Sequence, residues 1–299
     1  MYMNTNTRIL APEFAFARPA SLAEAFALMK EHGPGARLLA GGTDLLVQMK
    51  MERLGPDLVI GLSGVKELAG ISADDGLMIG AATTIWAISK SPEVGAQVAA
   101  LREACNAFST VSVMFMGTLG GNLCNASPAA DTAPALLAHD ASLVIRSVRS
   151  VRTVPLAEFF TGPGKTVLLP GEIVTAVTIP KPAARTGSAF RKISRVVADI
   201  SQVCAAVSLV REGARVAGCR IALGSVAPTP VRLARAEEAL VGQDGTPQSF
   251  ARTAEIVAED IRPISDVRAS EGYRRQVAQT IVRDALQTAW QRAGEGVLK

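Results

Sequence analysis

Leu22, Phe26 and Met29 recur at helical spacing, and Ser21 with Glu24 three residues on has capping-box form. The pattern therefore predicts a helix that Gly33 ends, after a short extended lead-in at 14–19. Residues 37–40 are expected to be a strand that delivers the chain into Gly41-Gly42. A helix-like segment at 44–51 and a strand at 58–62 follow. Residues 77–81 read as another strand, with Thr83 or Thr84 capping the helix behind it. Ser91-Pro-Glu93 opens a longer helix with Leu101 on its apolar side. Helix is predicted at 132–138, and strands at 143–146 and 174–179.

The period then changes. Residues 180–187 have the Pro/Gly-rich composition of a linker and mark a domain boundary. Beyond them, 189–195, 204–211 and 215–224 read as consecutive antiparallel strands, with Glu212-Gly213 as a tight turn. Helices are predicted at 232–241, 249–260 and 270–291, so the second half is an α+β domain. No internal repeat or low-complexity tail is evident.

One stretch stands outside these patterns. From Ala104 to Ala130 no charged side chain occurs, although charged residues make up 19% of the chain. Gly117, Gly120, Gly121, Asn122, Asn125 and Pro128 interrupt it, which excludes a membrane helix. Polar, glycine-rich and uncharged is what a loop needs if backbone amides are to approach a phosphate. A second Gly-Gly loop lies upstream at 41–42. The pair suggests a pyrophosphate held between two turns, with Gly41, Gly42, Gly120 and Gly121 lending amides and Thr43, Thr118 and Asn122 adding side-chain bonds. Asp131, with Ser127 nearby, is placed to take a ribose hydroxyl. A G-x-G-x-x-G dinucleotide fingerprint is absent, and 162–166 lacks the first glycine of a P-loop.

Composition narrows the classes. At 299 residues the chain can bury one large or two moderate cores. A net charge of +4, 4% aromatic residues and no basic cluster interleaved with aromatics argue against a nucleic-acid partner. The four cysteines (Cys105, Cys124, Cys204, Cys219) form no C-x-x-C pair, and His32 and His139 are the only histidines, so no metal site is indicated. The amino terminus lacks the apolar core of a signal peptide, giving a cytoplasmic expectation. Arg146, Arg149 and Arg152 read as solvated strand and turn positions, and Arg195 can pair with Asp199 four residues on.

Ala-Gly-Gly-Thr-Asp-Leu at 40–45 and Thr-Leu-Gly-Gly-Asn at 118–122, with Ala-Ser-Pro-Ala-Ala-Asp at 126–131, resemble the FAD-binding medium subunit of the molybdenum hydroxylases. That is the flavoprotein component of the bacterial xanthine dehydrogenase and carbon monoxide dehydrogenase type. Motifs at 79–84, 159–165, 171–173, 190–195 and 270–275 extend the resemblance over nearly the whole chain. It implies a two-subdomain FAD-binding fold of the vanillyl-alcohol-oxidase (PCMH) type followed by a C-terminal antiparallel sheet with helices, α+β overall. The FAD-binding domain would span 1–182 (subdomains about 1–62 and 63–182) and the C-terminal domain 188–299.

The resemblance further implies that Leu38, Leu39, Ala40, Gly41, Gly42, Thr43, Asp44, Leu45, Phe108, Ile173 and Lys192 contact the cofactor, Lys192 near the isoalloxazine end. Apart from the resemblance, no Ser-His-Asp set or acid–base carboxylate pair is evident, so no catalytic residue for an organic substrate is expected on this chain. By resemblance, a large molybdenum-cofactor subunit and a small subunit with [2Fe–2S] clusters would be partners, in a dimer of heterotrimers (a heterohexamer), with NAD or oxygen as electron acceptor. Met114, Phe115 and Phe190 depart from the family pattern by removing hydrogen-bonding groups near the cofactor. A self-contained flavin-dependent oxidoreductase of the same fold is the alternative, and a non-catalytic nucleotide-binding module a third.

Overall fold

Residues 13–295 are described by a computed structural model, in which small side-chain caps decide where many of the helices begin. The amino-terminal stretch read above for a signal peptide lies outside the described residues. Strand β1 (Ala15–Ala17) leads to α1 (Leu22–His32), where the Ser21 hydroxyl accepts from the Glu24 amide at 3.2 Å. The Glu24 carboxylate reaches one residue further back than a capping box requires and accepts from the Ala20 amide at 2.9 Å. Gly33 ends the helix at φ 50°. Next come β2 (Ala36–Leu39), α2 (Leu45–Lys50) and β3 (Leu58–Gly61), which complete a parallel sheet in the order β1-β3-β2. Leu22 and Phe26 of α1 bury against Leu58 and Ile60, forming the core of this first unit.

The second unit is built on a five-stranded antiparallel sheet. β4 (Ile71–Ser72) and β5 (Leu77–Gly80) precede α3 (Ile85–Lys90), which Thr84 caps; the Thr83 hydroxyl instead bonds the backbone of Gly70. The single helix predicted after Ser91 is two, α4 (Pro92–Gln97) and α5 (Ala99–Asn106), because Val98 leaves helical geometry at φ −137°, ψ 65°. α6 (Val111–Met116), α7 (Leu119–Cys124) and α8 (Thr132–Leu137) follow. The uncharged stretch is thus largely helical rather than a loop.

Behind these helices run β6 (Ser142–Arg146), β7 (Val151–Pro155), α9 (Leu156–Phe159), the small hairpin β8 (Phe160–Gly162) and β9 (Lys165–Thr166), and β10 (Ile173–Ile179). The sheet order is β4-β5-β10-β6-β7, so its last strand in sequence is central.

In the third unit β11 (Thr186–Ile193), β12 (Val203–Glu212), β13 (Arg215–Gly224) and β14 (Val231–Arg232) form an antiparallel meander, with Gly213 at φ 59° in the β12–β13 turn. α10 (Ala234–Leu240), α11 (Pro247–Asp260) and the long α12 (Glu271–Glu295) complete it. β12 is buried at almost every position because both faces are covered. Val203, Ala205, Val207 and Leu209 join the core of the third unit, whereas Cys204 and Ala206 join the core of the second. Polar groups stitch the same seam: Glu103 of α5 accepts from the Phe190 amide at 2.8 Å and pairs with Arg292 of α12. Among the described residues no helix is long and apolar enough to cross a membrane.

The loop before α12 is fixed by Asp266, whose carboxylate accepts from the Arg268 and Ala269 amides and from buried Arg274 at 2.8 Å. Burial opposes its ionisation, but those donors win and hold the carboxyl at about 2, below its ordinary 3.8. A depressed carboxyl stabilises the fold above the unfolded value and ceases to do so as pH falls through the folded one. Solvent screens part of this effect, so Asp266→Asn is expected to lose about 1 kcal/mol at neutral pH. The gap between variant and wild type should close between pH 4 and pH 2, as read by urea unfolding.

Candidate cofactor site

The two Gly-Gly stretches, 79 positions apart in the sequence, meet at one cleft of about 300 Å³. Gly41 is the point of contact: a Cβ there would lie 1.9 Å from the Met116 carbonyl oxygen. No other residue lets the turn after β2 approach the end of α6 so closely. A second tie is polar, since Asn125 Nδ2 donates to Asp44 Oδ1 at 3.1 Å. Gly42 sits at φ 75°, in the left-handed region that glycine tolerates, and turns the chain from β2 into α2.

The two turns differ in what their amides do. The amides of Gly41, Gly42, Thr43 and Asp44 donate to no backbone or side-chain group among the described residues. In the second turn the amides are engaged: Gly120 donates to Ala81 O at 2.8 Å, and Gly121 to the Thr118 hydroxyl at 3.1 Å, the N-cap of α7. The amide of Asn122 also donates inside the helix, to Thr118 O. This departs from the sequence expectation that all four glycines lend amides to phosphate, because Gly120-Gly121 form a helix turn rather than a loop. What the second turn offers the cleft is small size and the side chains of Thr118 and Asn122. Asn122 Oδ1 is steadied by the Thr132 hydroxyl at 2.6 Å.

Apolar walls close the cleft on both sides. Leu38, Leu62, Leu68 and Ile173 belong with the first unit's core, and Leu168 and Phe108 pack against the second unit's. Leu38, Ala40, Gly41, Gly42, Thr43, Asp44, Leu45, Phe108, Thr118, Gly120, Gly121, Asn122 and Ile173 all line it. Four residues named from the sequence do not. Leu39 turns its side chain onto Gly42, and the Ser127 hydroxyl closes a local turn by accepting from the Ala129 amide at 3.2 Å.

Asp131 and Lys192 form a buried pair at 2.7 Å, with side chains 7% and 4% exposed. The ammonium of Lys192 spends its other donors on the carbonyls of Ala107 and Phe108, at 3.0 and 3.3 Å. Lys192 is thus saturated by protein groups, and fixes the chain that carries Phe108. Asp131 Oδ1, also buried, has no partner. Burial pushes the Asp131 carboxyl up to about 6, against the pull of Lys192.

Three groups lay beyond the sequence reading. Glu172 lines the cleft and is held by Arg152, whose long-range partner no local pattern signals. Cys124 is exposed and lines the cleft, while Cys105, Cys204 and Cys219 are buried. Trp86 stacks on Phe115 with ring centres 4.5 Å apart, under the Lys90 ammonium, so Phe115 is a surface residue of α6 while Met114 is buried. Phe190 is buried at the seam and does not line the cleft. Of the arginines read as solvated, Arg146 and Arg149 are exposed. Arg195 pairs with Asp199 at 2.6 Å.

Comparison with known proteins gives concordant matches. The family described as FAD binding domain in molybdopterin dehydrogenase matches residues 12–182, and that described as CO dehydrogenase flavoprotein C-terminal domain matches 188–289. The chain is 35% identical over 284 residues to a putative xanthine dehydrogenase FAD-binding subunit of Escherichia coli, spanning 94% of this chain and 97% of that one. It is 32% identical over 285 residues to the carbon monoxide dehydrogenase medium chain of Hydrogenophaga pseudoflava, spanning 95% and 99%. A solved structure of carbon monoxide dehydrogenase from the latter organism superposes with a TM-score of 0.91 at 34% identity, covering 95% of this chain and 99% of its own. Quinoline 2-oxidoreductase from Pseudomonas putida superposes at 0.89 with 32% identity, covering 94% and 98%.

Proposed function

Because this chain belongs to the family of FAD-binding subunits of molybdopterin dehydrogenases, we propose that it is the flavin relay of a multi-subunit molybdenum hydroxylase. Organic substrate is oxidised on a large molybdenum-cofactor subunit, electrons cross a small [2Fe–2S] subunit to this chain, and they leave to NAD or oxygen. Bound FAD supplies the redox chemistry here, so the protein's tasks are binding, orientation and electrostatics.

The observation that carries the reading is the run of free amides at Gly41–Asp44, held against the second turn by the Gly41–Met116 contact. Successive unpartnered N–H groups beside a left-handed glycine make an anion-binding concavity, suited to a pyrophosphate. Thr118 and Asn122 add polar side chains from the opposite wall. Asp131 Oδ1 is buried without a partner but does not line the cleft, so the part of Asp131 is to hold Lys192 beside Phe108 rather than to take a ribose hydroxyl. Leu38, Leu45, Phe108 and Ile173 give the apolar contact that flat rings require. Lys192 acts by placing Phe108 and charge-balancing Asp131.

Expressed alone, the chain is expected to bind FAD and yet oxidise no organic substrate. Mixing it with its molybdenum and iron–sulfur partners should restore substrate-dependent bleaching of the flavin band, followed by rapid-mixing absorbance. Turnover of such a substrate by the isolated chain would replace the relay with a self-contained flavin-dependent oxidoreductase.

A further inference from the structure

Arg152 stands on β7, away from the phosphate turns, yet its guanidinium reaches the cleft wall. Nε donates to Glu172 Oε1 at 2.8 Å and Nη2 to Glu172 Oε2 at 2.7 Å, a two-pronged pair with a carboxylate only 6% exposed. The same Nη2 donates to Val167 O at 2.9 Å, and Glu172 Oε2 also accepts from the Leu169 amide at 2.8 Å. Four bonds therefore converge on the turn from 167 to 172. That turn has no helix or strand of its own, and Gly171 within it is at φ 84°. It presents Leu168 and Glu172 to the cleft and leads directly into Ile173.

The two ends of the cleft differ in chemistry. Phe108 marks one end, backed by the buried Asp131–Lys192 pair, where charged groups can respond to a ring whose charge changes on reduction. Leu62, Leu68 and Ile173 mark the other, which is apolar and continuous with the first unit's core. A ring that keeps its charge throughout, the adenine, belongs at the apolar end.

We propose that Arg152 is a positioning residue for the adenylate half of the cofactor, acting through Glu172 to set the wall that carries Leu168 and Ile173. The proposal rests on the FAD reading given above. Without the fork, the 167–172 turn loses its carboxylate anchor and the wall opens, while the phosphate turns and the Phe108 end keep their own supports. A lysine cannot reproduce the fork, because it offers a point charge rather than two parallel donors.

The test compares FAD with FMN, which has no adenylate, by flavin fluorescence titration of the flavin-stripped full chain. Arg152→Gln should weaken FAD binding at least tenfold and change FMN binding less than twofold. Arg152→Lys should recover little of the loss. Equal weakening toward both flavins would mean a general structural role and overturn the proposal, as would unchanged FAD affinity. Should Arg152→Gln fail to fold, Glu172→Gln, which keeps the side-chain shape, must show the same selective loss or the proposal falls. A wild-type chain that binds neither flavin would overturn the FAD reading and this proposal together; wild-type binding with an indifferent variant overturns the proposal alone.

Discussion

Gly41→Ala is expected to lower FAD affinity at least a hundredfold, whereas Gly121→Ala should lower it tenfold or less. At position 41 the added Cβ would lie 1.9 Å from the Met116 carbonyl oxygen and 2.6 Å from its carbon, with Gly117 Cα at 3.0 Å. All three are backbone atoms, so relief requires the two turns to part, and the free amides at 41–44 then lose their opposing wall. A hundredfold loss is about 2.7 kcal/mol. At position 121 the Cβ would meet only the Thr118 hydroxyl at 2.8 Å and the Ala40 Cβ at 3.9 Å. That hydroxyl can rotate away at the cost of the α7 cap, about 1 kcal/mol.

Gly121→Asp is different from Gly121→Ala, since its carboxylate would face the pyrophosphate and expel it by charge. Fluorescence titration of the stripped variants gives the affinities, and circular dichroism controls for folding. Wild-type affinity in Gly41→Ala would show that closure of the two turns does not make the site.

The second large effect is at the buried pair. Lys192→Met leaves Asp131 enclosed with one oxygen already unpartnered and the other newly so, and removal of one member of a buried pair costs about 3–5 kcal/mol. It also frees the Ala107 and Phe108 carbonyls. Asp131→Asn in the same chain should return much of the loss, because the stranded charge is gone. The pH dependence separates the two contributions. A carboxyl raised by burial, already at about 6 in the wild type, favours the native state increasingly as pH falls below its folded value. The deficit of Lys192→Met should therefore shrink from neutral pH toward pH 4. A deficit independent of pH would mean that lost packing, not the stranded carboxylate, causes it.

Local signals in the sequence were read well and distant ones were not. Ser21, Thr84 and Ser91 sit beside the helices they cap, and the strand β13 (Arg215–Gly224) lies where its pattern and the Glu212-Gly213 turn place it. The helix α7 was hidden because two glycines read as a loop. There Thr118 supplies the N-cap, and the small residues serve close packing of Gly120 on Ala81. The break at Val98 has no glycine or proline to announce it. Most of the cleft lining was recoverable from the two Gly-Gly motifs and the resemblance they carry. The Asp131–Lys192 and Arg152–Glu172 pairs each join separate elements, and such partners leave no local period or spacing in the chain.

The central place of β10 in its sheet bears on how the protein comes into being. On the ribosome, β5 and β6 emerge well before the strand that lies between them, which pairs Ala176 with Gly80 on one side and Ile173 with Arg146 on the other. Until residues 173–179 are made, both inner edges are bare, and unpaired strand edges in a nascent chain invite association with other chains. The same late strand begins with Ile173, so the cofactor's wall arrives last. Flavin insertion therefore waits until residues 173–179 have been made, and a translation pause before β10 leaves an aggregation-prone half-domain.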